Sequence, residues 1–409
     1  MEITKIESKT FKTNEIAIFL TVPLTKSTIT MNALIPAVLR RGSNKLKSQT
    51  EMGKKLENMY GANFNCGIDK TGNYCVLKFY IEIVNEKFLP EKTNIMQEGI
   101  NLLTDIIFNP LIENGGFNKE YVKQEKENLK KIILSRKDNK ATYAYNRCIE
   151  EMFKDDPYGI FKYGYIEDLE KINEHNLLEQ YKKVIQTSKI KMLVIGMDLD
   201  KIEKLNEKIK LNIEKSNQEL ADNFNSNITH ISVQGDEKII KEKLDVNQGK
   251  LMVGLKTPEE NKFAVTMYNV ILGGGANSKL FQNVREKAGL AYSASSSYLR
   301  RKNAIIIKTG IELNNFDKTL NIIKQQLEAI KNGEITQKEL ESAKRLVISS
   351  MKLIKESEED TIAFYFDQEL YEENKNIEQY CNEIEKITIE DVVKVAKAVS
   401  INTIYFLEK

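Results

Sequence analysis

The chain has 409 residues, enough for roughly two or three domains, and 41% of them are apolar, so it buries a core and is not a disordered tether. Lys and Arg number 61 against 59 Asp and Glu, interspersed to a net charge of +2, which removes the one-sided basic excess of a nucleic-acid-binding protein. Two histidines, His175 and His230, cannot build a histidine-rich metal centre.

The first strand is predicted over Ile16–Val22, ended by Pro23. Ser48, three residues before Glu51, has the spacing of a capping box, and Gly61 stops the helix that follows. Tyr74–Val84 is rich in β-branched and aromatic residues and reads as a strand. Asn118 caps a long charged amphipathic helix with apolar positions Val122, Leu129, Ile132 and Ile133, and Met192–Gly196 is a third strand. From about Lys215 to Glu242 the chain is rich in Asn, Glu and Lys and reads as an interdomain linker. Beyond it come a strand at Leu251–Leu255, a helix at Phe263–Leu272, and a hairpin of 293–300 and 304–312 turning at Lys302-Asn303. Thr336 with Glu339 repeats the capping spacing before another long helix. Strands and helices mix without strict alternation, which favours α+β over a doubly wound sheet.

Cys66, Cys75, Cys148 and Cys381 form no C-x-x-C pair, so a structural zinc site fails and free thiols in a reducing compartment are expected. The start of the chain lacks a leader pattern and no run reaches ~18 apolar residues, so a cytoplasmic protein without a membrane partner is expected.

The two rounds of elements look like copies. LEKINEHNLLEQYKKVI from Leu169 aligns with IEKITIEDVVKVAKAVS from Ile384 at a constant offset of 215, pairing Ile172 with Ile387, Leu177 with Val392, Leu178 with Val393 and Val184 with Val399. Each then runs into a short apolar strand. A duplicated α+β domain is inferred, with an N-terminal domain at 1–220, a linker at 221–242 and a C-terminal domain at 243–409.

Chemistry concentrates in ILGGGANSKLFQNVREKAGLAYSASSS, residues 271–297. Gly273, Gly274 and Gly275 end a helix and allow positive φ or close approach to a ligand. Ser278 is a candidate N-cap for the next helix, which carries Arg285 and stops at Gly289 before Tyr292 opens a strand. A guanidinium and a phenol brought to one side of the fold suit a peptide carbonyl or a developing oxyanion.

This segment resembles the C-terminal-half signature of the insulinase/pitrilysin peptidases: a glycine-rich loop, Ser278, Leu280-Phe281, Arg285-Glu286-Lys287, Gly289-Leu290 and Ala291-Tyr292. Within that family the chain resembles the zinc-less bacterial members associated with aminopentanol modification of elongation factor P. The resemblance implies two duplicated α+β domains, each a mainly antiparallel sheet covered by helices, facing each other around a groove or chamber. Catalytic members carry H-x-x-E-H on a first-half helix. Here those positions are Ala33, Pro36 and Ala37, and the third ligand falls near Lys131, so no metal site is expected in this chain.

In two-chain members one subunit carries the zinc and the other the arginine and tyrosine. The resemblance thus implies Arg285 and Tyr292 as catalytic residues, Gly273, Gly274, Gly275 and Ser278 as substrate-binding ones, and no cofactor here. The implied partners are a homologous zinc-bearing subunit and a peptide or unfolded protein substrate. Read singly, Arg285 is also an ordinary helix-end cation and Tyr292 an ordinary strand residue. The serines at 293 and 295–297 have no nearby histidine and read as a solvated or groove-lining strand face. Arg40-Arg41 and Arg300-Arg301 read as solvated charges, as do Glu125 and Glu127. The alternative function is a peptide-binding or scaffold protein without a catalytic contribution.

Overall fold

The computed structural model describes residues 2–91, 93–197, 199 and 237–409. The first half runs through β1 (Glu2–Glu7), β2 (Thr13–Pro23), α1 (Ile29–Leu39), α2 (Gln49–Asn58), β3 (Asn63–Thr71), β4 (Tyr74–Val84) and α3 (Ile95–Phe108). A small ribbon of β5 (Ile112–Glu113) and β6 (Gly116–Phe117) precedes α4 (Lys119–Leu134), α5 (Lys140–Met152), α6 (Ile166–Leu169), α7 (Glu174–Thr187) and β7 (Lys189–Gly196). In the second half come β8 (Lys238–Lys243), β9 (Gly249–Lys256), α8 (Lys262–Gly273), a π-helical segment (Phe281–Lys287), β10 (Ala291–Leu299) and β11 (Ala304–Ile311). Then follow α9 (Phe316–Lys331), α10 (Gln337–Ile354), α11 (Glu358–Leu370), α12 (Ile377–Lys386), α13 (Ile389–Ala398) and β12 (Ser400–Glu408).

The duplication is written in the sheets. One has the order β1-β7-β2-β4-β3 and the other β8-β12-β9-β11-β10. In each, the outermost pair is parallel and the other three pairings are antiparallel. The helices aligned at the offset of 215 are α7 and α13, and both begin in a reciprocal capping box, Asn173 with Asn176 and Thr388 with Asp391, at positions related by that same offset. Each helix feeds the strand that lies second in its sheet.

Strand β2 is apolar without alternation because both of its faces are covered. Ile16, Ile18, Leu20 and Val22 face a large core with α1, α3 and α7, while Ala17 and Phe19 pack under Ile362, Phe366 and Leu370 of α11. Phe19 and Phe366 stack with ring centroids 4.0 Å apart. In the other sheet Met252, Ile306 and Tyr405 pack against Tyr143, Ile149 and Met152 of α5.

Two compact units result. The first comprises the described residues of Met1–Leu134, Ile160–Ile228 and Ile354–Asn374, and the second those of Ser135–Gly159, Thr229–Leu353 and Lys375–Lys409. A division at 1–220 and 243–409 assigns α5 and α11 to the opposite units. Their amphipathic patterns say that they cover a sheet, not which sheet.

Of the expected linker at 221–242, residues 221–236, His230 included, lie outside the described residues. Its end is not linker: Lys238–Lys243 forms β8, parallel to β12. Its inward Glu242 accepts hydrogen bonds from Tyr143 Oη at 2.5 Å, Tyr405 Oη at 2.8 Å and Arg147 Nε at 3.0 Å, and this network holds a strand whose charged composition resembles a loop. The four thiols are unbridged. Cys66 stands opposite Phe79 and Cys75 opposite Lys70, too far along the ladder to meet.

Candidate functional site

The glycine-rich loop closes α8 against β10. None of Gly273, Gly274 and Gly275 has a positive φ, and the close approach that Gly273 and Gly274 allow is to the protein's own backbone. A side-chain carbon on Gly273 would lie 2.6 Å from the backbone nitrogen of Ser296, and one on Gly274 2.6 Å from Cα of Val270. Ser296 fixes the contact by donating its hydroxyl to the Asn269 carbonyl at 3.0 Å. The serines of β10 are therefore not one solvated face: Ser296 is buried against α8, and Ser297 accepts from Lys308 Nζ at 2.6 Å.

Ser278 is buried and stands just before the next helix, its carbonyl accepting from Gln282 N at 3.0 Å, but its hydroxyl makes no capping bond. Its hydroxyl donates to the Gly275 carbonyl at 2.6 Å, pinning the loop on itself. The following turns are π-helical rather than α-helical: Ala288 N bonds to Asn283 O at 3.3 Å, a bond across five residues. Such wide turns are costly and concentrate at functional sites. Gly289, at φ +63°, ends the segment in the conformation a glycine adopts without penalty.

Arg285 lies on this segment with its side chain 44% exposed, its Nε 3.5 Å from Glu286 and its guanidinium 4.6 Å from the Phe281 ring. Tyr292 sits at a β-bulge. Ala291 faces Ile311 and Ser293 faces the very next residue, Gly310, so Tyr292 is the extra residue of the bulged strand. The bulge turns Tyr292 outward to 68% exposure, and no partner reaches its hydroxyl among the described residues.

Two hollows adjoin the loop. A polar cleft of about 860 Å³ is lined by Gln282, Asn283 and Lys287 of the π segment, by Lys279, and by Glu339 and Arg345 of α10. Lys279 Nζ is held 3.0 Å from Glu339. A smaller hollow of about 330 Å³ carries Gly275, Ser278 and Leu346. Gly275 and Ser278 thus stand at a cavity, while Arg285 and Tyr292 line neither hollow. The sequence reading missed the Lys279–Glu339 pair, the bulge and the π segment. Lys279 left a sign only as a charge next to the loop, and Glu339 only as a cap of the helix that follows.

In the first unit the positions of the zinc motif cannot bind metal. Ala33 and Ala37 are half-buried and Pro36 is buried within α1, its carbonyl accepting from Cys66 Sγ at 3.2 Å. Lys131 is exposed, and the acid of α4 that turns inward is Glu125. Glu125 is 7% exposed and ion-paired with Arg41. Neither residue is the solvated charge that the sequence suggested: the guanidinium supplies the positive charge that the buried carboxylate needs. Burial pushes the neighbouring Cys66 thiol up to about 12. Among the described residues no three His, Cys, Asp or Glu side chains are placed to hold a metal ion.

Comparison with known proteins places this architecture. Residues 171–347 match the family model described as the peptidase M16 inactive domain. The chain is 32% identical to the probable inactive metalloprotease YmfF of Bacillus subtilis (strain 168), over 98% of this chain and 94% of that one. It superposes on a conserved protein from Enterococcus faecalis V583 with a TM-score of 0.85 at 27% identity, covering 99% of this chain and 96% of the other. A peptidase M16 inactive domain from Pseudomonas fluorescens shares the fold, with a TM-score of 0.79 at 18% identity over 99% and 95% of the chains. A duplicated sheet-and-helix chain with this signature is of the M16 peptidase class. The chain belongs to the inactive, insulinase-like M16 family. No helix among the described residues is long and apolar enough to cross a membrane.

Proposed function

We propose that the chain is the zinc-less subunit of a heterodimeric metallopeptidase, inactive alone, which supplies Arg285 and Tyr292 to a peptide-hydrolysing site. The zinc is held by a homologous subunit carrying the intact motif, and the substrate is a peptide or unfolded protein. One observation carries the reading: Tyr292 is turned outward by a bulge, with no partner for its hydroxyl among the described residues. A phenol so placed is a preorganised donor for the oxyanion of a tetrahedral intermediate. Arg285 offers fixed N–H donors to substrate carbonyls, and the partner's zinc polarises the scissile carbonyl.

The test is reconstitution with the zinc-bearing homologue from the same cell. Tyr292→Phe and Arg285→Ala are each expected to lower kcat about a hundredfold or more, as loss of an oxyanion donor does, with subunit pairing unchanged. Full activity in both variants with pairing intact would refute it. A second reading has its own support, because Glu286 and the Phe281 ring already engage Arg285. In that reading the chain is a peptide-binding or scaffold protein, and the same unchanged activity is its expected result.

A further inference from the structure

Four carboxylates meet in the first unit where α11 begins, on the sheet face opposite the large core. Glu15 on β2 and Glu82 on β4 are direct cross-strand partners, an arrangement that opposes folding when both are charged. Glu358 and Glu359 belong to the first turn of α11. With Tyr80, Asn63 and Asn65 these four line a pocket of about 220 Å³. Glu15 is only 8% exposed, and no hydrogen-bonding partner reaches its carboxyl among the described residues. Glu358 is equally buried: its Oε2 accepts from Thr13 Oγ1 at 2.8 Å, but its Oε1 is buried with no partner.

A buried charge needs a counter-charge and hydrogen bonds. Elsewhere on this sheet the rule is met, since Lys191 Nζ lies 2.7 Å from Glu369 and 3.1 Å from Glu2. At Glu15 the facing titratable groups are Glu82 and Tyr80 from β4 and Glu358 and Glu359 from α11, every one of them acidic. The carboxylates are not grouped for a metal ion, and the pocket has room for a larger cation.

We propose that this pocket binds an organic cation with a primary ammonium or guanidinium group, whose N–H donors pair with Glu15 and Glu358 while Glu82 and Glu359 supply further negative charge. Such a group carries three to five donors and no acceptor, which is the complement of this site. Its source is a basic side chain of a bound peptide or a free aliphatic diamine. The site is independent of the role proposed for Arg285 and Tyr292. Burial, then Glu358, Glu359 and Glu82, push Glu15 up to about 8, so in the empty pocket at neutral pH it holds a proton. An entering cation displaces that proton to solvent, and affinity rises with pH.

Isothermal titration of the full chain with 1,4-diaminobutane and with capped lysine and arginine amides, in buffers of different ionisation enthalpy, tests this. Expected is binding that tightens about tenfold or more from pH 6 to pH 8.5, with proton release near neutrality, while tetramethylammonium, which has no N–H, does not bind. Glu15→Gln should weaken binding about tenfold and reduce proton release to what Glu358 contributes; Glu359→Gln, at an exposed rim position, should weaken it with the fold intact. Tighter binding of the capped amides assigns the peptide source, and tighter binding of the diamine the free one. No heat from any of the three ligands, equal binding of tetramethylammonium, or wild-type affinity in both variants overturns the proposal.

Discussion

The carboxyl of Glu15 should make the stability of the chain fall as pH rises through neutrality. Its ordinary value is 4.5, and burial with Glu358, Glu359 and Glu82 nearby raises it to about 8, while Glu358 rises to about 7 through burial and Glu82, against the hydrogen bond from Thr13. A group raised on folding stabilises the fold fully below its unfolded value and loses that contribution as pH climbs to its folded one. The window is therefore about pH 4.5 to 8. At about 1.4 kcal/mol per tenfold change in proton affinity, the span from pH 5 to pH 8 sets an upper limit of about 4 kcal/mol. Glu358 titrates in the same site and shares the effect, so we expect about half of that, roughly 2 kcal/mol, for Glu15 itself. Glu15→Gln removes the titration and leaves a side chain of similar shape. Urea unfolding followed by circular dichroism at pH 5, 6.5 and 8 should show the wild type losing about 2 kcal/mol relative to the variant across the series. A difference that stays constant with pH would refute the reasoning, whatever its absolute size.

Two further substitutions test the packing around the glycine loop and its sheet. Gly273→Ala should cost about 1–3 kcal/mol, because the added carbon meets β10 backbone, whereas Gly275→Ala meets only the end of the flexible Leu346 side chain at 3.1 Å and should cost well under about 1 kcal/mol; thermal midpoints of the two variants decide the order. Lys302→Ala leaves Asp156, held 2.6 Å away with its side chain 5% exposed, as an unpaired buried charge, and should cost about 3–5 kcal/mol in urea unfolding. Recovery of most of that loss in the Lys302→Met, Asp156→Leu double variant is expected, and a double variant no better than the single one would contradict it.

What could be read in the sequence is what local chemistry decides. Tyr74–Val84 is a strand over those very residues, Ser48 accepts from the Glu51 amide, and Thr336 and Glu339 exchange both capping bonds. The hairpin turns at Asn303, at φ +47°, a conformation that asparagine tolerates better than most residues. The duplication was visible because buried positions and caps repeat together. What could not be read depends on partners distant in sequence. Glu125 looks like one more charge on a charged helix until Arg41 is brought to it from 84 residues away. Glu15 follows Lys12, Thr13 and Asn14, directly before the apolar run that starts at Ile16, so its sequence gives no sign of burial, and the acids that face it arrive from β4 and from a helix more than 340 residues further on.

The site itself divides along the same line. The signature residues of 271–297 were legible as types, but their placement comes from two departures from regular geometry, the π turns under Arg285 and the bulge at Tyr292, and neither follows from propensity. A regular α-helix into a regular strand would have kept the alternation of β10 intact and given one of Tyr292 and Ser293 to the buried face; with the extra residue inserted, both are exposed. The first unit shows the opposite tendency. Its motif positions are apolar or proline on a helix, and its one inward acid on α4 is neutralised by an arginine, so that region folds without a metal. Irregular backbone is costly to maintain. In this chain π turns and a bulge persist around Tyr292, whereas Ala33, Pro36 and Ala37 lie in an α-helix that is missing the bond Pro36 cannot donate, and that asymmetry is the physical reason for proposing the function at Arg285 and Tyr292 rather than at the first unit's motif positions.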